Sequence, residues 1–345
     1  MRRRDFMAGT MATMAVAPTA IGKDSHRVIA CEEAFTLPEI QAELRRIRGE
    51  GDAGPVPPHV RAMLDVGEGR LRAMDAARVD MHVLSLGTPG VQDFETSTAV
   101  ALARVVNDRL SAIVRSHPDR FAGLATFAPQ DPQAAAREIE RAVRTLGLCG
   151  ALFNSHTNGE YLDDAKFWAI FEAAEALKIP LYLHPRDPSP TLGGPALSIP
   201  GFRVGWTFGV EAASHALRLI SAGVFDRFPR LQIILGHLGE TLPFITSRLD
   251  ERYRVESAGW GDRKLRRLPS EYLRENFYFT TSGMNVWSPL RATIEAVGIE
   301  RLLFAIDYPF EDQAHAVQGI ERAPLNPDDR RVIFESNAKR VFGLA

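Results

Sequence analysis

Five polar side chains stand where apolar runs end, and their types suit one kind of chemistry. Glu32 closes "RVIACE" (27–32), His184 lies near the end of "PLYLHP" (180–185), and Asp307 closes "RLLFAID" (301–307). His237 closes "LQIILGH" (231–237), with Glu240 three residues on. Imidazole and carboxylate donors together suit a divalent ion such as Zn²⁺, Mn²⁺ or Fe²⁺. Taken singly, each has an ordinary explanation: a hydrogen-bonded structural histidine, or an aspartate opening the turn before Pro309. Their shared placement at the ends of apolar runs is what points to a site. His26, His59, His117 and His315 lack that placement and read as surface or loop residues.

The elements that must position these groups follow from the same runs. Besides the four above, strand-like stretches occur at 80–87 ("DMHVLSLG"), 121–128 ("FAGLATFA"), 150–155 ("GALFNS") and 277–282 ("FYFTTS"). Several are continuously apolar, as expected of parallel strands covered on both faces. Amphipathic helical spacing fills the intervals at 98–118, 131–147, 163–179 and 211–229, with proline or glycine at several of the ends. Eight strands alternating with helices predict a (β/α)₈ TIM barrel of the α/β class, forming a single domain over 27–345. An open doubly wound sheet competes, but no Gly-rich phosphate loop follows the first strand. In such a barrel the chemistry sits at the C-terminal strand ends. Two stretches depart from the repeat there, 41–70 after strand 1 and 186–206 after strand 5, and as βα loops both are expected to shape the pocket.

Strand alternation assigns the two neighbouring acids. It places Glu32 on a face with Ala30 and Ala34, and turns Glu33 outward to a hydrogen-bond or ion-pair partner.

The chain has 345 residues, 45% hydrophobic, and a formal net charge of −2. That balance gives no electrostatic case for nucleic acid or an anionic membrane as partner. Two cysteines, Cys31 and Cys149, cannot build a disulfide framework and read as reduced core thiols. The charged run at 262–275 reads as a solvated loop and helix face. Residues 1–22, "MRRRDFMAGTMATMAVAPTAIG", resemble a twin-arginine export signal through Arg3-Arg4-Asp5-Phe6, which implies a periplasmic protein. A disordered extension on a cytoplasmic protein is the alternative. No other stretch is long and apolar enough to span a bilayer.

The stretches "ACEEAF", "APQDP", "NSHTNGEYLDD", "LYLHPR", "HALRLISAGVFDRFPRLQIILGHLGETLPF" and "DYPFED" together resemble the decarboxylase branch of the amidohydrolase superfamily. Within it, the chain is similar to the metal-dependent hydroxybenzoate decarboxylases of the γ-resorcylate and 5-carboxyvanillate type. The resemblance implies an amidohydrolase-type barrel, one Mn²⁺ or Zn²⁺ ion, a small aromatic carboxylate as substrate, and a homodimer or homotetramer. It implies that Glu32, His184 and Asp307 hold the metal. His237 becomes a pocket histidine oriented by Glu240, Arg248 a contact either to the groups that hold the metal ligands or to the substrate carboxylate, and Phe310 a ring-packing aromatic. Phe35 and His156 join the expected substrate contacts, with Arg61 as the nearest arginine in the loop after strand 1. Some relatives carry a histidine two residues after the first glutamate; Ala34 stands there, which favours a single metal.

The implied reaction is non-oxidative decarboxylation. The metal chelates the carboxylate and the ortho-phenolic oxygen, Asp307 protonates the ring carbon, and loss of CO₂ restores the aromatic ring. A metal-dependent hydrolase of an amide or lactone is the alternative, since the same ligands serve it.

Overall fold

The computed structural model describes residues 26–345 apart from 52–53, 198 and 262–263. The stretch read as an export signal lies outside the described residues. Eight parallel strands run in sequence order: β1 (Ile29–Phe35), β2 (Met81–Leu86), β3 (Phe121–Thr126), β4 (Gly150–Asn154), β5 (Pro180–His184), β6 (Gln232–Leu235), β7 (Phe277–Thr280) and β8 (Leu302–Leu303). Alternating side chains divide the core in two. Ile29, Cys31, Val83, Leu124, Ile234 and Leu303 fill the barrel interior, while Leu84, Phe153, Leu181, Leu183, Ile233 and Leu235 pack outward against the helices. The expected (β/α)₈ barrel is the fold.

The strand ladder leaves β1 and β8 unpaired, and other bonds close the cylinder. Cys31 N–H donates to Phe304 O at 3.0 Å and Ala34 N–H to Tyr308 O at 2.8 Å. Strand 8 was expected over 301–307, yet only two residues ladder with β7. The reason lies in the partners of the following amides. Phe304 N–H goes to Ile333 O, and the amides of Ile306 and Tyr308 go to the side chain of Glu33. Residues 302–306 remain fully buried.

The first insertion is mostly helical. Helix α1 (Pro38–Arg48) begins with proline in its first turn and stops at Gly49, whose φ of 65° suits a left-handed cap. It is followed by α2 (Pro58–Leu64) and α3 (Glu68–Ala77). Helices α4 (Thr96–Ser116), α5 (Pro132–Arg144), α6 (Trp168–Leu177) and α7 (Gly209–Ser221) match the expected spans with shifted ends. Asp131 caps α5 by accepting from Ala134 N–H at 2.9 Å. The second insertion runs through short helical turns, the last at Arg203–Phe208, which leads straight into α7. No helix among the described residues is long and apolar enough to cross a membrane.

Candidate metal centre

Glu32 reaches the barrel interior because β1 is not a regular strand. Its pairing with β2 matches Ala30 to His82 but Glu33 to Leu84, so β1 spends one extra residue between those points. This bulge reverses the alternation. Ala30 faces the outer core and Ile29 and Cys31 the interior; regular alternation from Ala30 would therefore have sent Glu32 outward. Glu32 therefore does not share a face with Ala30, as regular alternation predicts, and the bulge is the cause.

Once inside, the Glu32 carboxylate is 2% exposed. Its Oε2 accepts hydroxyl hydrogen bonds from Tyr182, from Thr280 at 2.9 Å and from Ser282. Tyr182 precedes His184 by two positions on β5, and Thr280 precedes Ser282 by two at the end of β7, so each pair shares a face. Oε1 is buried with no hydrogen-bond partner. An unpartnered carboxylate oxygen in a buried site is costly, and a cation removes that cost. Burial pushes the Glu32 carboxyl up, but His237, His184 and the Ser282 and Tyr182 hydroxyls outweigh it and hold the group below its ordinary range.

His184 lies 3.6 Å from Oε1 through Nε2. Its Nδ1 sits 2.8 Å from Pro185 O, a bond that places the proton on Nδ1 and leaves the Nε2 lone pair free. Asp307 supplies the third group. One donor atom each from Glu32, His184 and Asp307 lies within 4.8 Å of the others. Two carboxylates and an imidazole at that spacing fit one divalent ion, and the unpartnered Oε1 favours it.

His237 and Glu240 flank this centre on a turn with an unusual backbone. His237, Leu238, Gly239, Glu240 and Thr241 all have positive φ, between 49° and 82°. Each non-glycine residue held there costs roughly 1 kcal/mol or more, which neighbouring structure must offset. A side chain at Gly239 would meet the Phe279 ring at 2.6 Å, so glycine is required. The turn brings His237 Nδ1 to 2.6 Å from Glu240 Oε1 and Nε2 to 3.9 Å from Asp307 Oδ2. Burial would push this imidazole down; the carboxylates of Glu240, Glu32 and Asp307 outweigh burial and hold it well above the usual histidine range.

The remaining expected contacts are more scattered. Phe35 is fully buried in the outer core, among the helices. His156 spends both ring nitrogens on loops, with Nε2 3.0 Å from Asp187 O and Nδ1 accepting from Gly159 N–H at 3.2 Å. Phe310, three residues after Asp307, is 52% exposed and lies 5.8 Å from the His59 ring. Arg61 is exposed on α2 and donates to Val56 O at 3.3 Å. Arg248 is exposed on the helix Thr246–Glu256. Tyr182, Thr280 and Ser282 are not picked out by sequence; the available signal is a hydroxyl two residues before the strand-end histidine in β5, and two hydroxyls spaced by two at the end of β7.

A match to the amidohydrolase family spans residues 57–344. The γ-resorcylate decarboxylase of Polaromonas sp. (strain JS666 / ATCC BAA-500) is 38% identical over 341 residues, covering 92% of this chain and 98% of its own. The crystal structure of 5-carboxyvanillate decarboxylase from Sphingomonas paucimobilis superposes with a TM-score of 0.89 at 44% identity, over 93% of this chain and all of that one. A dihydroxybenzoic acid decarboxylase from Polaromonas sp. JS666, solved with manganese and the inhibitor 2-nitroresorcinol, gives 0.80 at 37% identity over 92% and 97%. With its parallel barrel and strand-end donors, the chain belongs to the amidohydrolase family.

Proposed function

We propose that this protein is a metal-dependent, non-oxidative decarboxylase of a hydroxylated benzoate. The observation that carries the reading is the Glu32, His184 and Asp307 donor cluster with its unpartnered Glu32 oxygen. Relatives of known activity that cover nearly the whole chain, γ-resorcylate and 5-carboxyvanillate decarboxylases among them, support it.

Glu32, His184 and Asp307 would hold a Mn²⁺ or Zn²⁺ ion, which would supply Lewis acidity toward a bound ortho-hydroxybenzoate. The chain's own groups do the rest. Asp307 delivers a proton to the ring carbon that bears the carboxylate. The carbon–carbon bond then breaks, CO₂ leaves, and the electron pair restores the aromatic ring. His237 faces Asp307 Oδ2 at 3.9 Å, with Glu240 fixing its other nitrogen, so it is placed to hold or return that proton. Arg248, Arg61, His156 and Phe310 remain the proposed substrate contacts, Phe310 being nearest Asp307 in the chain. Phe35, buried in the outer core, is proposed to shape β1 instead of touching substrate.

Assembly as a homodimer or homotetramer belongs to the same reading. Phe202, Val204 and Trp206, all more than half exposed on the loop before α7, offer apolar surface for it. Export through the twin-arginine segment is proposed from Arg3-Arg4-Asp5-Phe6 alone; fractionation of cells expressing the full chain tests it.

The decisive experiment incubates Mn²⁺-loaded protein with a panel of hydroxybenzoates and lactones while CO₂ and ring products are followed. CO₂ release from a hydroxybenzoate, abolished by Asp307→Asn, is the expected result. Lactone opening without CO₂ would reverse the reading in favour of a hydrolase.

A further inference from the structure

Glu33 is a fully buried acid that the proposed reaction does not use. Its Oε1 accepts the amide of Ile306 at 3.0 Å and its Oε2 the amide of Tyr308 at 3.1 Å. Those two amides flank Asp307. The same segment is held by Ala34 N–H on Tyr308 O at 2.8 Å, and by Phe310 N–H on Asp307 O at 2.8 Å. Asp307 itself sits at φ 76°, a left-handed conformation that a non-glycine residue keeps only when its surroundings impose it.

A buried guanidinium braces the same junction. Arg70 of α3 donates to Ala34 O at 2.6 Å and to Asp65 O at 3.0 Å, and its guanidinium carbon lies 4.7 Å from the centre of the Tyr308 ring. His82 Nε2 lies 4.0 Å from Glu33 Oε2. Glu33 is also the residue next to Glu32. One side chain thus ties the β1 donor to the chain on both sides of the donor that follows β8, where no ladder does so.

We infer that Glu33 is a positioning residue: by accepting the amides on either side of Asp307, it sets where the Asp307 carboxylate stands relative to that of Glu32. This rests on the reading of Asp307 as a metal ligand.

The test is titration of metal-free protein with Mn²⁺ alone, followed by calorimetry, beside circular dichroism and steady-state kinetics. Glu33→Ala is expected to fold, to bind Mn²⁺ about tenfold or more weakly, and to lose kcat with a smaller change in KM. Glu33→Gln keeps one acceptor at the same reach and is expected to bind with intermediate affinity. A merely structural role would lower the melting temperature and leave the Mn²⁺ affinity of the folded protein unmoved. Affinity within twofold of the parent in a folded Glu33→Ala overturns the inference, and where that variant fails to fold the same result for Glu33→Gln does so. Asp307→Asn separates the two levels: unchanged Mn²⁺ affinity there removes the ligand assignment on which this inference stands.

Discussion

Three hydroxyls converge on one oxygen of Glu32 and none on the other, and that asymmetry decides what the residue does. Saturating Oε2 fixes the carboxylate's orientation and leaves Oε1 to a cation. Hydrogen bonds to a charged acceptor contribute about 1.5–3 kcal/mol each. Tyr182→Phe is therefore expected to weaken Mn²⁺ binding about tenfold, measured by titration, while the barrel keeps its circular dichroism; unchanged affinity would show that the Tyr182 hydroxyl does not orient the carboxylate. Glu240→Gln acts at the other side of the centre. It removes the anion 2.6 Å from His237 Nδ1 and is expected to cut kcat about tenfold or more, with Mn²⁺ affinity nearly unchanged. At this scale the sequence revealed the donors better than their support. Glu32, His184, His237, Glu240 and Asp307 stood out because charged or imidazole groups at the ends of apolar runs demand explanation. Tyr182 and Thr280 are ordinary strand formers and Ser282 sits in the turn after β7, and only the folded neighbourhood shows that their hydroxyls share one acceptor.

The helices and most strands were legible because apolar periodicity specifies them. Strand 8 and the bulge in β1 were not, since both depend on partners distant in sequence: Glu33 takes the amides that a ladder would have used. The loop after β5 was legible only as an interruption. Its anchoring comes from a buried polar network in which Glu211 accepts from Ser155 Oγ at 2.8 Å, Tyr161 Oη at 3.0 Å and Ser189 N–H at 3.0 Å. His215 completes it, with Nδ1 3.1 Å from Ser155 Oγ and Nε2 accepting from Leu162 N–H at 3.0 Å. Burial, with Arg218 and His156 adding to it, pushes the His215 imidazole down to about 3. The unfolded chain binds that proton near pH 6.5 and the folded protein does not, so this group lowers stability as pH falls from about 6.5 toward 3. The slope is about 1.4 kcal/mol per pH unit, and nothing is lost above that window. His215→Asn should be less stable at pH 7 yet show a shallower acid limb. Urea midpoints at pH 7 and pH 5 measure both, and an equal pH dependence in the two proteins would refute the assignment.

Across the whole molecule, the three proposed metal donors lie within β1, at the end of β5 and after β8, at residues 32, 184 and 307, so the centre joins segments spread over 275 positions of the chain. The seam between β1 and β8, which no strand ladder closes, is bridged by two of those donors. A metal bound there stabilises the folded state by mass action, because the unfolded chain does not bring the three together. At a free Mn²⁺ concentration a hundred times the dissociation constant, the gain is about 2.7 kcal/mol. Unfolding entropy near 2.1 cal/mol/K per residue gives roughly 0.7 kcal/mol/K for a chain of this length, so the melting temperature should rise by about 4 °C. Each further tenfold in Mn²⁺ adds about 1.4 kcal/mol, or about 2 °C. Chelation should reverse the rise. In Asp307→Asn the dependence on Mn²⁺ should flatten because one bridge across the seam is gone. A melting temperature in the parent protein that does not respond to Mn²⁺ or to chelator would show that the three groups do not hold a metal in the folded barrel.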